Sequence, residues 1–216
     1  MPIVPDDKDW TWVLERPCPE CGFDAATVPP ESVGARLRDN AAAWRRVLRQ
    51  PDDVLRRRPA DDRWSPLEYA CHVRDVCTLF HQRLLLMLRE DDPLYPNWDQ
   101  DVTALEARYG EQDPVVVSAE LGEAAASLAD GFDCVRGGQW LRPGRRSDGA
   151  RFDIAGFSRY LLHDPVHHLF DVTGRGGVLS PRAGGRLSRR EVGRSRARGR
   201  RWPGRSCAGP RRGRPS

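Results

Sequence analysis

The apolar positions of this chain recur mostly at helical spacing, and they predict five helices. Val33, Leu37, Ala41, Trp44, Val47 and Leu48 form one stripe over residues 31–49, and Pro51 ends it. The next start is sharper. Ser65 stands at the N-cap, Pro66 at the first helical position, Glu68 closes a capping box, and Trp64 occupies the staple position. This helix runs to about Arg89. Its second half, Leu84 to Leu88, is apolar on most sides, which predicts a central place in a bundle. A short helix is expected over residues 101–109. Asp113 and Pro114 then open a long one, with Val116, Ala119, Ala124, Leu128, Phe132 and Val135 on its inner side and Gly137-Gly138 at its end. The last core helix begins near Asp153 and carries Ile154, Phe157, Tyr160 and Leu161. Residues 51–63 read as a charged connector whose arginines lie in solvent. Residues 91–101 read as a structured loop that either covers a site or packs as a connector, and 141–151 as a flexible loop or small hairpin.

Charge divides the chain. Residues 175–216 carry 14 Arg and one Glu, net +13, so the overall +4 conceals a body of net −9 over residues 1–174. The tail is Arg, Gly, Ser and Pro with few apolar residues, a composition expected to be disordered. Arg-rich segments attract phosphate backbones, so a nucleic-acid partner is expected only through this tail. A non-native or frameshifted C-terminus is the competing account. The organisation expected is an N-terminal arm (1–30), a helical bundle (31–173) and the basic tail (174–216). There is no run of about 18 apolar residues for a membrane span. The acidic N-terminus lacks the pattern of a secretory signal, so a cytoplasmic location is expected.

The chemistry concentrates in His163-Asp164-Pro165-Val166-His167-His168, which holds three of the five histidines. His163 and His167 are four apart and share one helix face. Pro165 removes the hydrogen bond to the Leu161 carbonyl, and a local kink is expected. His72 lies in the second turn of the Ser65 helix. His81, nine residues on, points about 180° away. Two helices that bring His72, His163 and His167 around one divalent ion make the expected site. Such a helical HxxxH is shared with many metal sites and is not specific alone. A plain histidine cluster that only stabilises the bundle is the alternative. Glu68, Asp75, Asp99 and Asp164 are candidates to orient a ligand imidazole, and spacing does not choose among them. Cys71 lies about 100° round the helix from His72 and makes a poor fourth ligand.

Pro17-Cys18-Pro19-Glu20-Cys21-Gly22 looks like half of a zinc knuckle. No second CxxC follows. The pair is either a half-site completed by other ligands or a partner chain, a redox pair, or two structural thiols. Trp10 and Trp12 are expected to pin this arm onto the body.

Trp64-Ser65-Pro66-Leu67-Glu68-Tyr69 with His72, the Asn97-Trp98-Asp99 loop, and His163-xxx-His167-His168 together resemble the DinB-like superfamily over roughly residues 31–173. The resemblance implies an all-α four-helix bundle. It implies a divalent metal (zinc, nickel or iron) on His72, His163 and His167, with His168 beside the pair as a non-ligand. Pro165 departs from that family's pattern. Some members use small thiols, among them bacillithiol-type S-transferases and mycothiol-dependent isomerases. The resemblance therefore implies a thiol-dependent transferase or isomerase. Lys8 is the one Lys among 35 basic residues, a composition that suggests a GC-rich bacterial source and, with it, mycothiol as the co-substrate; a homodimer is a possible assembly. A non-catalytic bundle is the alternative.

Overall fold

Four long helices carry the structure, a computed structural model in which residues 9–175 are described. They are α1 (Val33–Val47), α3 (Pro66–Arg89), α5 (Pro114–Asp133) and α6 (Ile154–Thr173), with short helices α2 (Asp52–Leu55) and α4 (Gln100–Glu106) between them. Helix α5 packs on both α1 and α3, and α6 also packs on both. The bundle thus runs in the cyclic order α1–α5–α3–α6. Its centre is filled by Leu37, Trp44, Leu67, Leu84, Met87, Leu121, Leu128, Phe132, Phe157 and Leu161.

The expected α3 start is realised. The Ser65 hydroxyl accepts from the Glu68 amide at 3.3 Å, and the Glu68 carboxylate accepts from the Ser65 amide at 2.9 Å. Arg58 Nε donates to the same carboxylate at 2.9 Å, while Arg56 reaches the Gly110 and Gln112 carbonyls. Arg56 and Arg58 therefore tie 51–63 to the body, and α2 within it buries Leu55, while Arg57 pairs with Asp53 in solvent as expected.

Helix α5 corrects the sequence reading. Its buried positions are Val117, Leu121, Ala125, Leu128, Ala129 and Phe132, whereas Val116 is 51% exposed. At 100° per residue, Leu121 and Val117 lie about 20° either side of Leu128, and Val116 lies about 120° away. The three consecutive valines hid this choice. The helix also stops at Asp133, short of Gly137.

The all-α expectation is modified by a small sheet. Strands β1 (Leu94–Tyr95), β2 (Pro143–Arg146) and β3 (Arg151–Asp153) lie in the order β1-β2-β3, the first pair parallel and the second antiparallel. The hairpin is the one foreseen at 141–151. It leads directly into α6, whose N-cap Asp153 accepts from the Gly156 amide at 2.6 Å. Helix α6 continues through Pro165 without a break, and the Pro165 carbonyl accepts from Asn40 Nδ2 of α1 at 2.9 Å. No helix among the described residues is long and apolar enough to cross a membrane. The basic tail, from residue 176 on, lies outside the described residues, and so does its expected disorder.

Candidate metal centres

The arm before α1 is built from short turns that lie along α6. Trp10 and Trp12 stack with ring centroids 5.7 Å apart. Trp10 in turn meets His163 at 5.4 Å and His167 at 5.2 Å, the pinning expected of these tryptophans. Next comes a tight turn. The Cys18 amide donates to the Phe23 carbonyl at 2.8 Å, and the Gly22 amide to the Cys18 carbonyl at 2.9 Å. Gly22 sits at φ +73°, which suits glycine. This turn points Cys18 and Cys21, both buried, toward α6.

Helix α6 carries two pairs of possible ligands. His163 and His167 share one side. Asp164 and His168, one residue on, are turned a further 100°. The first pair meets the arm: donor atoms of Cys18, Cys21, His163 and His167 all lie within 4.8 Å of one another, and all four residues are buried. Cys18 Sγ is 3.6 Å from His167 Nδ1. His163 Nε2 is buried without a partner. Burial pushes the Cys21 thiol well up and lowers His163 to about 4, so this imidazole is neutral at pH 7.

The second pair meets α3. His72, Asp164 and His168 form another set with donor atoms within 4.8 Å. His72 Nε2 stands 3.2 Å from Asp164 Oδ2, and His168 Nε2 3.8 Å from the same oxygen. His72 Nδ1 and Asp164 Oδ1 are buried without partners. Burial raises the Asp164 carboxyl, but His72 and His168 beside it outweigh this and hold it down at about 2. Asp171 accepts from His168 Nδ1 at 3.0 Å, which leaves Nε2 facing Asp164. The Trp98 ring stacks on His72 at 5.5 Å and 11°, so the 91–101 loop does cover the site.

The structure thus divides the three expected ligands. His163 and His167 stand together. His72 stands with Asp164 and His168, because α3 and the arm face different sides of α6. Of the four acids proposed to orient a histidine, only Asp164 reaches one. Glu68 is held by Arg58 and Ser65, Asp75 by Arg74 and the Tyr109 hydroxyl, and Asp99 caps α4. Sequence reasoning gave His168 no ligand role and passed over Asp171. Asp164 and His168 form a second i, i+4 pair that spacing alone could have revealed.

The α6 members of both sets, His163, His167, Asp164 and His168, border one cleft of about 410 Å³, lined also by Trp98, Arg83, Arg146 and Tyr160. Arg83 is 5% exposed and its Nε has no partner. Its Nη2 donates to the Pro96 carbonyl at 2.7 Å.

No curated protein gives a significant match to the chain. Among solved structures it is similar to YfiT from Bacillus subtilis, described as a probable metal-dependent hydrolase with an unusual four-helix bundle topology. That match has 18% identity and a TM-score of 0.55, and covers 80% of this chain and 91% of the other. The likeness supports the bundle fold. The DinB superfamily model matches residues 35–170, a span that takes in α3, most of α6 and the His72, Asp164 and His168 set. The chain belongs to the DinB superfamily.

Proposed function

We propose that this protein is a metal-dependent enzyme that acts on a small molecule in the cleft, with one divalent ion held by His72, Asp164 and His168. The observation that carries the reading is the convergence of these donors beside two buried, unpartnered atoms, His72 Nδ1 and Asp164 Oδ1. Unpaired buried polar atoms are unfavourable in a plain core. Two imidazoles and a carboxylate suit zinc, nickel or iron and leave coordination positions free. A divalent ion there would lower the pKa of a bound water or thiol and supply a nucleophile at neutral pH. The description of YfiT as a probable hydrolase favours water. The family's use of small thiols favours a thiolate such as that of mycothiol.

The chain's own groups do the rest. Asp171 fixes the His168 ring, and Trp98 shields His72 from bulk water. Arg83, whose buried Nε has no partner, favours a substrate bearing an anionic or strongly accepting group. The family ligand set of His72, His163 and His167 would require His72 to reach the other side of α6, and the observed grouping favours Asp164 and His168 instead.

The test is metal content per chain in the wild type, His72→Ala and His168→Ala, after loading with zinc, nickel or iron. One equivalent should be lost in each variant. Ester hydrolysis measured with and without added thiol then separates water from thiolate chemistry. An unchanged metal complement in both variants would remove the proposal's basis.

A further inference from the structure

The motif that this reading leaves unused is the CxxC of the arm, and it faces the unused histidine pair. We infer that Cys18, Cys21, His163 and His167 form a second, closed metal site that takes zinc in a tetrahedral Cys2His2 shell and fastens the arm to α6. The four donors come from two segments more than 140 residues apart in sequence, yet all lie within 4.8 Å of one another. Zinc at about 2.3 Å from sulfur and about 2.0–2.1 Å from nitrogen sets a tetrahedral S···N separation of about 3.6 Å. Cys18 Sγ and His167 Nδ1 are 3.6 Å apart.

Two further observations agree. His163 Nε2 is a buried nitrogen on a 4% exposed residue and lacks any partner. The Cys18–Phe23 turn, with Gly22 at positive φ, is the tight turn that presents two sulfurs to one ion. His167 Nε2 faces Glu20 at 3.7 Å and Asp171 at 3.9 Å, both too long for a hydrogen bond, and its other nitrogen, Nδ1, is the one turned to Cys18. Binding would release both thiol protons. Two thiolates would neutralise the dication, so the buried site would carry no net charge. Such a shell leaves no open position, and its role is structural. It would seat Trp10 and Glu20 at the wall of the cleft and keep His163 and His167 away from substrate chemistry.

The experiment uses the full chain, purified with reductant and loaded with zinc. In the His72→Ala background, which removes the other set, X-ray absorption should show about two sulfur and two nitrogen neighbours around one zinc per chain. Cobalt in place of zinc should give thiolate-to-metal charge-transfer bands. Cys18→Ser and Cys21→Ser should each lose one equivalent of zinc while the His72 site stays loaded. A first shell without sulfur would overturn the inference, as would two cysteines that still react freely with a thiol reagent in the zinc-loaded protein. The spectra are read on chains with both cysteines intact, so a cysteine variant that fails to fold does not shelter the idea. Loss of the His72 site leaves this result untouched, so the two readings fail separately.

Discussion

Asp171 lies between the two sets, and replacing it distinguishes them. Its Oδ2 accepts a hydrogen bond from His168 Nδ1 at 3.0 Å but stands 3.9 Å from His167 Nε2, beyond hydrogen-bond reach. Losing the partner that orients a ligating histidine weakens metal binding about 10–100-fold. Asp171→Asn keeps the shape and one acceptor oxygen and removes only the charge. The expected loss is therefore at the lower end, about tenfold, or about 1.4 kcal/mol. Asp171→Ala leaves His168 Nδ1 without its acceptor and should approach 100-fold, about 2.7 kcal/mol. Both losses should fall on the His72–Asp164–His168 site, while the Cys18–Cys21–His163–His167 site keeps its affinity. The assay is zinc competition against a chromophoric chelator. Each site is isolated by Cys18→Ser/Cys21→Ser or by His72→Ala. Equal weakening of both sites, or no weakening of the first, would refute the assignment of Asp171 to His168.

Other outcomes follow from the packing. The Glu68 carboxyl is raised by burial, but Arg58 and Ser65 outweigh this and hold it below the ordinary range. A depressed folded value stabilises above the unfolded pKa of about 4.3 and is lost as pH falls through the folded value. Glu68→Gln should therefore flatten the acid arm of the urea-midpoint profile and lower stability at pH 7 by about 1–3 kcal/mol; an unchanged acid arm would count against the pairing. Leu121→Ala should destabilise by about 2–5 kcal/mol and Val116→Ala by under about 0.5 kcal/mol in the same urea titrations, and the reverse order would restore the other face of α5 as the buried one. At Gly34 an added Cβ would stand 3.0 Å from the Ala129 carbonyl and against the Asp133 carboxylate. Gly34→Ala should push α1 from α5 and lower the melting temperature, at a cost of about 1–3 kcal/mol.

Local signals in the sequence proved dependable where they specify their own surroundings. The capping box at Ser65 and Glu68, the N-cap at Asp113, the helix start near Asp153 and the stripe of α1 each depend on residues within a turn or two, and each is realised. That His163 and His167 share a face is likewise a property of the helix alone. Which neighbour that face meets is not. It depends on the rotation of α6 about its axis, and that rotation is set by packing against α1 and α3 and by the arm. For the same reason the CxxC read as an incomplete site, because its completion lies in residues far along the chain. The phase of α5 was lost among Val115, Val116 and Val117, three side chains of equal hydrophobicity on three different azimuths.

The two ligand pairs of α6 differ by a single step along the chain, and this has a consequence for insertion and deletion. One residue inserted between Asp153 and His163 would advance everything after it by 100°. The histidine pair would then face His72, the cysteines would lose their counterparts, and the ligand set implied by the family resemblance would be assembled. A one-codon change upstream of the motif could thus interconvert an arm-fastened architecture and a three-histidine one with every ligand residue retained. Alignments that match the histidines by letter alone would miss the difference, and those that count from the helix cap at Asp153 would reveal it.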